Sequence, residues 1–378
     1  MPQRTGFNIK GGDLTTLLVP KDLLLGTVLW TWGDGRKGWL GLGTTMSYSS
    51  PAQVGSLSNW KQIGCGYRQG VATKSDGTLW VWGQNNSGWL GAGSTNLLET
   101  SPIQVGATSD WSWVSCGYDA TVAIKSDRTL WEWGAGLTMA GPISSPSQIG
   151  TLSDWSMVSS AVSFAVSTKV DGTLWGWGYN YNGQLGNGTT VNTMSPIQIG
   201  TQSDWTYVSC GYAMTTAIKS NGTLWSCGYS PFGGLGNGTT LGYSSPIQVG
   251  TLSDWKQVSC GYKQVLAIKV NGSLWGWGAN TYGGLGMGNT ILYLSPIQIG
   301  TLSDWKQVAC GYENAVAVKS DGTLWGWGRN LLSGVGNLGY AQVPTVVGST
   351  SSPAQIGTLS NWKQAVTGGL FSMAIQVP

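Results

Sequence analysis

The chain has 378 residues, a formal charge of +3 and only 9% charged side chains, where soluble domains carry about a quarter. Glycine (60) and tryptophan (23) are abundant and phenylalanine scarce (4), a composition that can bury a large core and excludes disorder. No run of Lys or Arg could track a phosphate backbone, which argues against nucleic acid as a partner.

Residues 1–25 stand apart from the rest of the chain. They lack the charged-then-apolar order of a secretory signal, so synthesis in the cytoplasm is expected. Their apolar cluster, Leu14 to Leu25, is interrupted by Pro20, Lys21 and Asp22 and is too short for membrane insertion. A segment this small cannot form a domain, and Phe7, Ile9, Leu14, Leu17 and Leu18 make it a candidate docking segment ahead of a second unit, 26–378.

From Gly26 onward two markers alternate. The motif Leu-Trp-x-Trp-Gly, or a close variant, places its first tryptophan at Trp30, Trp80, Trp131, Trp175, Trp225, Trp275 and Trp325. The tryptophan of Ser-Asp/Asn-Trp falls at Trp60, Trp111, Trp155, Trp205, Trp255, Trp305 and Trp362. Within the unit that starts at Trp255, Lys256–Gly261 and Val265–Lys269 read as two short strands. Asn271-Gly272 predicts a tight hairpin, here of type I′, leading into Leu274–Gly278. Ser295-Pro296-Ile297-Gln298-Ile299 reads as a fourth strand, with proline at its start where no ladder bond is lost. Four strands in about 50 residues make one propeller blade, and seven copies of each marker predict an all-β, seven-bladed propeller.

Residues two apart on a strand share a face, so Trp275 and Trp277 point one way and Gly276 and Gly278 the other. Stacking of rings on a glycine-lined neighbouring face is expected. Each buried indole removes roughly 150–250 Å² from water, a gross gain of about 4–6 kcal/mol as an upper bound. The two ends also complement each other. The head opens on Gly26–Gly33 in mid-blade, and the tail stops after Ala374-Ile375-Gln376 without a Trp-x-Trp strand. Pairing the N- and C-terminal strands in one blade would leave no free edge.

The run Trp175-Gly-Trp-Gly-Tyr-Asn-Tyr-Asn-Gly-Gln-Leu-Gly-Asn-Gly188, then Pro196 and Val208-Ser-Cys-Gly211, resembles the regulator of chromosome condensation repeat family across roughly residues 26–378. The resemblance implies a seven-bladed propeller with loops on two faces. Many members carry a histidine three residues after the glycine of Cys-Gly. This chain has no histidine and holds Gln69, Ala120, Met214, Gln264 and Asn314 there. The exchange-factor and photoreceptor activities of the family rest on residues with no match here, and neither is carried over. Residues 1–25 resemble the short leaders of some bacteriophage virion proteins.

Without histidine a Ser-His-Asp triad, a Cys-His pair or a histidine metal ligand is impossible. Cys65, Cys116, Cys210, Cys260 and Cys310 recur at one position per repeat, too far apart for disulfides and read as small buried hydrophobes. No cofactor and no metal is expected, and the chain reads as a non-enzyme.

Departures from the repeat are then the pointers to function. The loop after Cys-Gly and the loop after Trp-x-Trp-Gly should share one rim. The first loop varies in charge, with Arg68, Asp119, Lys263 and Glu313. In the second, Trp39 and Trp89 replace the usual Gln in adjacent blades, beside Arg36 and Lys37, and suit an interface hot spot. The alternative is that both rings pack on the loops beneath them. The loop after Trp133 is shortened, and the one after Trp327 is lengthened by Leu331, Leu332 and Tyr340 among others. Protein partners, as fellow subunits of an assembly, are expected on this reading: a virion appendage or decoration protein docked through residues 1–25. The competing reading is a regulatory propeller, an exchange factor or enzyme inhibitor, that binds a protein through its rim.

Overall fold

A computed structural model describes residues 26–378 apart from 95, 136, 138–141 and 330–348. The docking residues Phe7, Ile9, Leu14, Leu17 and Leu18, and Leu331, Leu332 and Tyr340, lie outside the described residues. Those described form seven four-stranded antiparallel sheets. Each sheet has an inner strand: Trp60–Cys65, Trp111–Cys116, Trp155–Ser160, Trp205–Cys210, Trp255–Cys260, Trp305–Cys310 and Trp362–Thr367. Each inner strand contacts the next and the last contacts the first, so the sheets stand as seven blades around a central channel, numbered here in that order.

Blade 7 closes the ring from both ends of the described chain. Its strands lie in the order Tyr48–Ser58, Val28–Gly33, Phe371–Gln376, Trp362–Thr367. Val28–Gly33 pairs along its whole length with Phe371–Gln376, with Leu29 opposite Ile375 and Thr31 opposite Met373.

The hairpins keep the expected positions but not the expected turn. Gly272 has a φ of 80°, whereas Asn271 is not in the left-handed region. Gly272 N–H donates to Lys269 O at 2.9 Å and Lys269 N–H to Ser273 O at 3.1 Å, a type I turn closed by a left-handed glycine. The side chain decides this. Asn271 Oδ1 accepts from the Ser273 N–H at 3.0 Å and its hydroxyl at 2.7 Å, a local bond that holds Asn271 out of type I′ geometry.

Seven apolar clusters each span one interface between neighbouring blades. Between blades 4 and 5, Trp255, Trp277, Val258 and Val265 meet Met214, Ile218, Leu224 and Val249. The face that receives the rings is therefore aliphatic, which corrects the expected glycine-lined strand face. Glycine serves in the loop instead: Trp277 donates its indole N–H to Gly234 O at 3.0 Å, and a Cβ at Gly236 would come within 2.7 Å of that ring. Strand glycine Gly276 leaves room on the opposite face for Ile299 and Leu285 of its own blade.

On the face that carries the hairpins, the aspartate before the marker tryptophan of blades 2 to 6 has a fixed role. Asp254 pairs with Lys269 at 3.1 Å, and the ammonium lies 4.3 Å from the centre of Trp275 and 5.0 Å from Trp255. The pattern repeats in blades 2 to 6 through Lys125, Lys169, Lys219, Lys269 and Lys319. A cation desolvated between two indoles gains about 2 kcal/mol, which offsets part of the cost of burying it.

Candidate functional site

The opposite face carries both irregular loops of the blades, as far as the described residues show them. Their backbones are joined at the base: Gln84 N–H donates to Arg68 O at 3.0 Å, Tyr229 N–H to Ala213 O at 2.8 Å and Ala279 N–H to Lys263 O at 2.9 Å. The shared rim anticipated from the strand order is present.

At the centre of this rim the channel opens into a cavity of about 470 Å³. A Gly-Tyr pair ends the inner strand in five blades, and the ring geometry brings Tyr67, Tyr118, Tyr212, Tyr262 and Tyr312 to its edge. Tyr67 stacks on Tyr118 with centroids 4.2 Å apart, Tyr262 stacks on Tyr312 at 4.1 Å, and Tyr212 meets Tyr262 at 4.5 Å. Blade 7 has Gly369 in place of the tyrosine, and Tyr67 leans into that space, so close that a Cβ on Gly369 would lie 2.2 Å from its ring. Tyr67 thereby reaches within 6.4 Å of Tyr312. The result is an arc from Tyr118 through Tyr67, Tyr312 and Tyr262 to Tyr212, open at Val162 in blade 3. Burial and the hydrogen bond with Tyr262 push the Tyr312 phenol well up, so it stays a neutral hydroxyl.

The arc continues outward between blades 4 and 5 as a groove of about 330 Å³, walled by Tyr212 and Tyr262 on one side and Tyr229 and Phe232 on the other. Tyr212 and Tyr229 are 45% and 48% exposed, and Phe232 is 37% exposed. Lys263 lies 4.3 Å from the Phe232 ring and 4.8 Å from Tyr262. Aromatic area on a rigid base with a few charges at its margin is the composition of a protein-binding hot spot.

Four of the eight rim residues singled out in the sequence, Arg68, Asp119, Lys263 and Glu313, border this surface. Arg68 caps the Tyr67–Tyr118 stack at 5.5 and 5.3 Å from the two rings. Asp119, beside it, has its carboxyl pushed up to about 6 by burial, with the Arg68 charge pulling the other way. Lys263 edges the groove, and Glu313 is tied to Arg329 at 2.5 Å. Arg36, in blade 7, is held by the fully buried Asp34 at 2.6 Å. Lys37 is exposed on the same loop.

The tryptophans fare differently. Trp39 is only 5% exposed and belongs to the core between blades 7 and 1, with Trp60 and Trp82. At the matching position Gly234 and Gly284 are crowded by Met214 and Gln264, and the Trp39 carbonyl accepts from the Trp82 indole at 3.0 Å. The packing alternative therefore holds for Trp39, and a surface contact through its ring is corrected. Trp89 is half-buried, with its indole nitrogen enclosed.

The tyrosine arc was not singled out, because a residue repeated in five units looks like scaffold. The five Gly-Tyr pairs were the available signal. At the position three residues after the glycine of Cys-Gly, the polar side chains bind neighbouring blades. Gln69 donates to Thr121 Oγ1 at 3.0 Å, Gln264 to Asn314 O at 3.0 Å, and Asn314 to Thr367 Oγ1 at 2.8 Å. The six cysteines are free thiols, and burial raises Cys116 and Cys210 to about 12 and Cys260 to about 11. Thiolate, the nucleophilic form, is scarce at such values.

Seven blades closed by their own ends, with a tyrosine-lined mouth, define a repeat-built propeller. The regulator of chromosome condensation (RCC1) repeat matches residues 28–73, 76–124, 171–218, 221–268 and 271–318, more than half of the sequence, and the chain belongs to that family. A second form of the repeat matches 60–88, 255–283 and 305–332. No curated protein matches the sequence. Among solved structures, Prp20p from Saccharomyces cerevisiae is 18% identical, with a TM-score of 0.83 over 94% of this chain and 92% of that one. Yeast RCC1 (Prp20) in its complex with Kap60 is likewise 18% identical, with a TM-score of 0.82 over 100% and 96%. Human WBSCR16 is 17% identical, with a TM-score of 0.79 over 93% and 98%. At these identities the likeness establishes the fold alone.

Proposed function

We propose that this propeller is a non-enzymatic binding scaffold that grips a protein partner through the tyrosine-lined rim. The observation that carries this reading is the continuous aromatic arc and its outward groove between blades 4 and 5. Support comes from the structural neighbours: Prp20p is described with binding properties toward Gsp1p and histones, and its complex with Kap60 is a solved structure. Of the two readings of the sequence, these favour a regulatory propeller over a virion appendage. The latter rests on residues 1–25, outside the described residues.

The test is affinity capture from an extract of the source cells, with full-length wild type beside a Tyr212→Ala/Phe232→Ala variant. Both side chains are partly exposed, so the variant should keep its near-ultraviolet circular dichroism. A specific protein retained by wild type and lost from the variant is expected. Equal retention by the two would remove the rim as the binding surface.

A further inference from the structure

The hairpin face, opposite the rim, carries an asymmetry of its own. The residue after the marker tryptophan sits at a bulge, where the ladder of the inner strand shifts register, as between Trp60 and Gln62 or Trp255 and Gln257. The tryptophan before it is buried. The glutamine after it binds the neighbouring blade, as Gln257 does through Val308 O at 3.2 Å and Val308 N–H at 3.2 Å. The bulge residue is left in solvent. In blades 5, 6, 7 and 1, four neighbours around the ring, that residue is Lys256, Lys306, Lys363 and Lys61, all exposed. In blades 2, 3 and 4 it is Ser112, Ser156 and Thr206. None of the four lysines enters an ion pair among the described residues. The carboxylates before the marker tryptophans are already held by the other lysines.

The same sector also loses carboxylates. Asn59 and Asn361 stand before the marker tryptophan in blades 1 and 7, where blades 2 to 6 have aspartate. With the Lys–Asp pairs cancelling, the side chains of blades 5, 6, 7 and 1 on this face leave Lys61, Lys74, Lys256, Lys306 and Lys363 against Asp76 and Asp321, which is 5 − 2 = +3. Blades 2 to 4 leave Arg128 against Asp127 and Asp171, which is 1 − 2 = −1. Alongside the lysines, the connections that enter blades 5, 6 and 7 expose Leu252, Leu302 and Leu359 at 41%, 48% and 46%.

We propose that this lysine crescent at the hairpin-side mouth of the channel is a second binding surface, for an acidic polypeptide segment that carries leucine-like residues. Unpaired ammonium groups on a rigid ring attract a run of carboxylates and steer its approach. The leucines decide between polypeptide and nucleic acid. A phosphate backbone would leave their apolar area in water, whereas an acidic segment with aliphatic side chains covers it.

The probe is a fluorescein-labelled 20-residue peptide of Glu and Leu, titrated with the full chain by fluorescence anisotropy at low and moderate salt. A peptide with Lys in place of Glu and a 20-nucleotide single strand are run beside it. The acidic peptide should bind and weaken with added salt. The exposed quadruple variant K61Q/K256Q/K306Q/K363Q should lose at least tenfold in affinity, and L252S/L302S/L359S several-fold. Tyr212→Ala, on the other face, should change nothing, which separates this surface from the rim. Three results would each overturn the proposal: no binding of the acidic peptide, equal affinity in the quadruple variant, or a tighter complex with the oligonucleotide.

Discussion

Arg128 holds the turn position that glycine occupies in the other Asp-Gly and Asn-Gly hairpins, with a φ of 66°. A side chain in that region is strained by roughly 1 kcal/mol. Arg128→Gly should therefore raise the unfolding free energy by about 1 kcal/mol in urea, less the backbone entropy glycine adds to the unfolded chain. The converse change should cost more. A Cβ at Gly172 would lie 2.3 Å from Ser203 O, so Gly172→Ala should lower stability by about 2 kcal/mol or more. Asp119 gives a prediction in pH. Its folded value of about 6 lies above the ordinary 3.8, so the folded state binds the proton more tightly. Stability from this group falls as pH rises from about 4 to 6 and stays low above that. Asp119→Asn should thus be more stable than wild type at pH 7 and gain nothing near pH 3.5, as thermal melts would show. The Asn-Gly and Asp-Gly hairpin turns were legible in the sequence, whereas the left-handed Arg128 was not picked out. The raised carboxyl of Asp119 was not legible, because burial and the opposing charge of Arg68, on the neighbouring blade, arise only once the ring is assembled.

Between elements, the recurring unit of stabilisation is the lysine that runs from the second strand across two indoles to an aspartate. Asp204 was readable as part of the repeat, yet its partner Lys219 lies on another strand, and only the hairpin geometry joins them at 3.2 Å. Asp204→Asn alone leaves a largely buried ammonium without its counter-charge and should cost about 1–3 kcal/mol. Blade 7 shows a neutral solution, with Gln376 donating to Asn361 Oδ1 at 2.9 Å. Adding Lys219→Gln to Asp204→Asn copies that pair and should recover part of the loss. A double-mutant cycle by urea denaturation would give a coupling of about 1 kcal/mol or more. The inner strands show a second device. Ser209 Oγ accepts the Cys260 N–H at 3.0 Å, and Ser259 Oγ the Cys310 N–H at 2.9 Å, each across a blade boundary. Ser209→Ala should cost about 1 kcal/mol by leaving that N–H unpaired.

For the whole molecule, closure depends on pairs such as Val28 with Gln376, the most distant in sequence among the described strand pairs. The sequence predicted this pairing because head and tail each carried half of one repeat. It passed over the tyrosines for a related reason: a ring converts a repeated residue into a concentrated one, so five ordinary-looking tyrosines become one arc, while the irregular Trp39 became core. If closure is only strand pairing, the break can be moved. Joining Gln376 to Val28 through a short Asn-Gly-containing turn, and opening the chain between Asn221 and Gly222, should yield a propeller that melts cooperatively within a few degrees of the parent. The claim on which function rests is that the tyrosine side of this ring is where a partner sits. Hydrogen exchange on the full chain, with and without a partner captured through Tyr212 and Phe232, addresses it directly. Added protection is predicted in the Gly-Tyr loops at 66–69, 117–119, 211–213, 261–263 and 311–313, with the hairpins unchanged. Protection confined to the hairpin turns, or spread evenly over both faces, would contradict it.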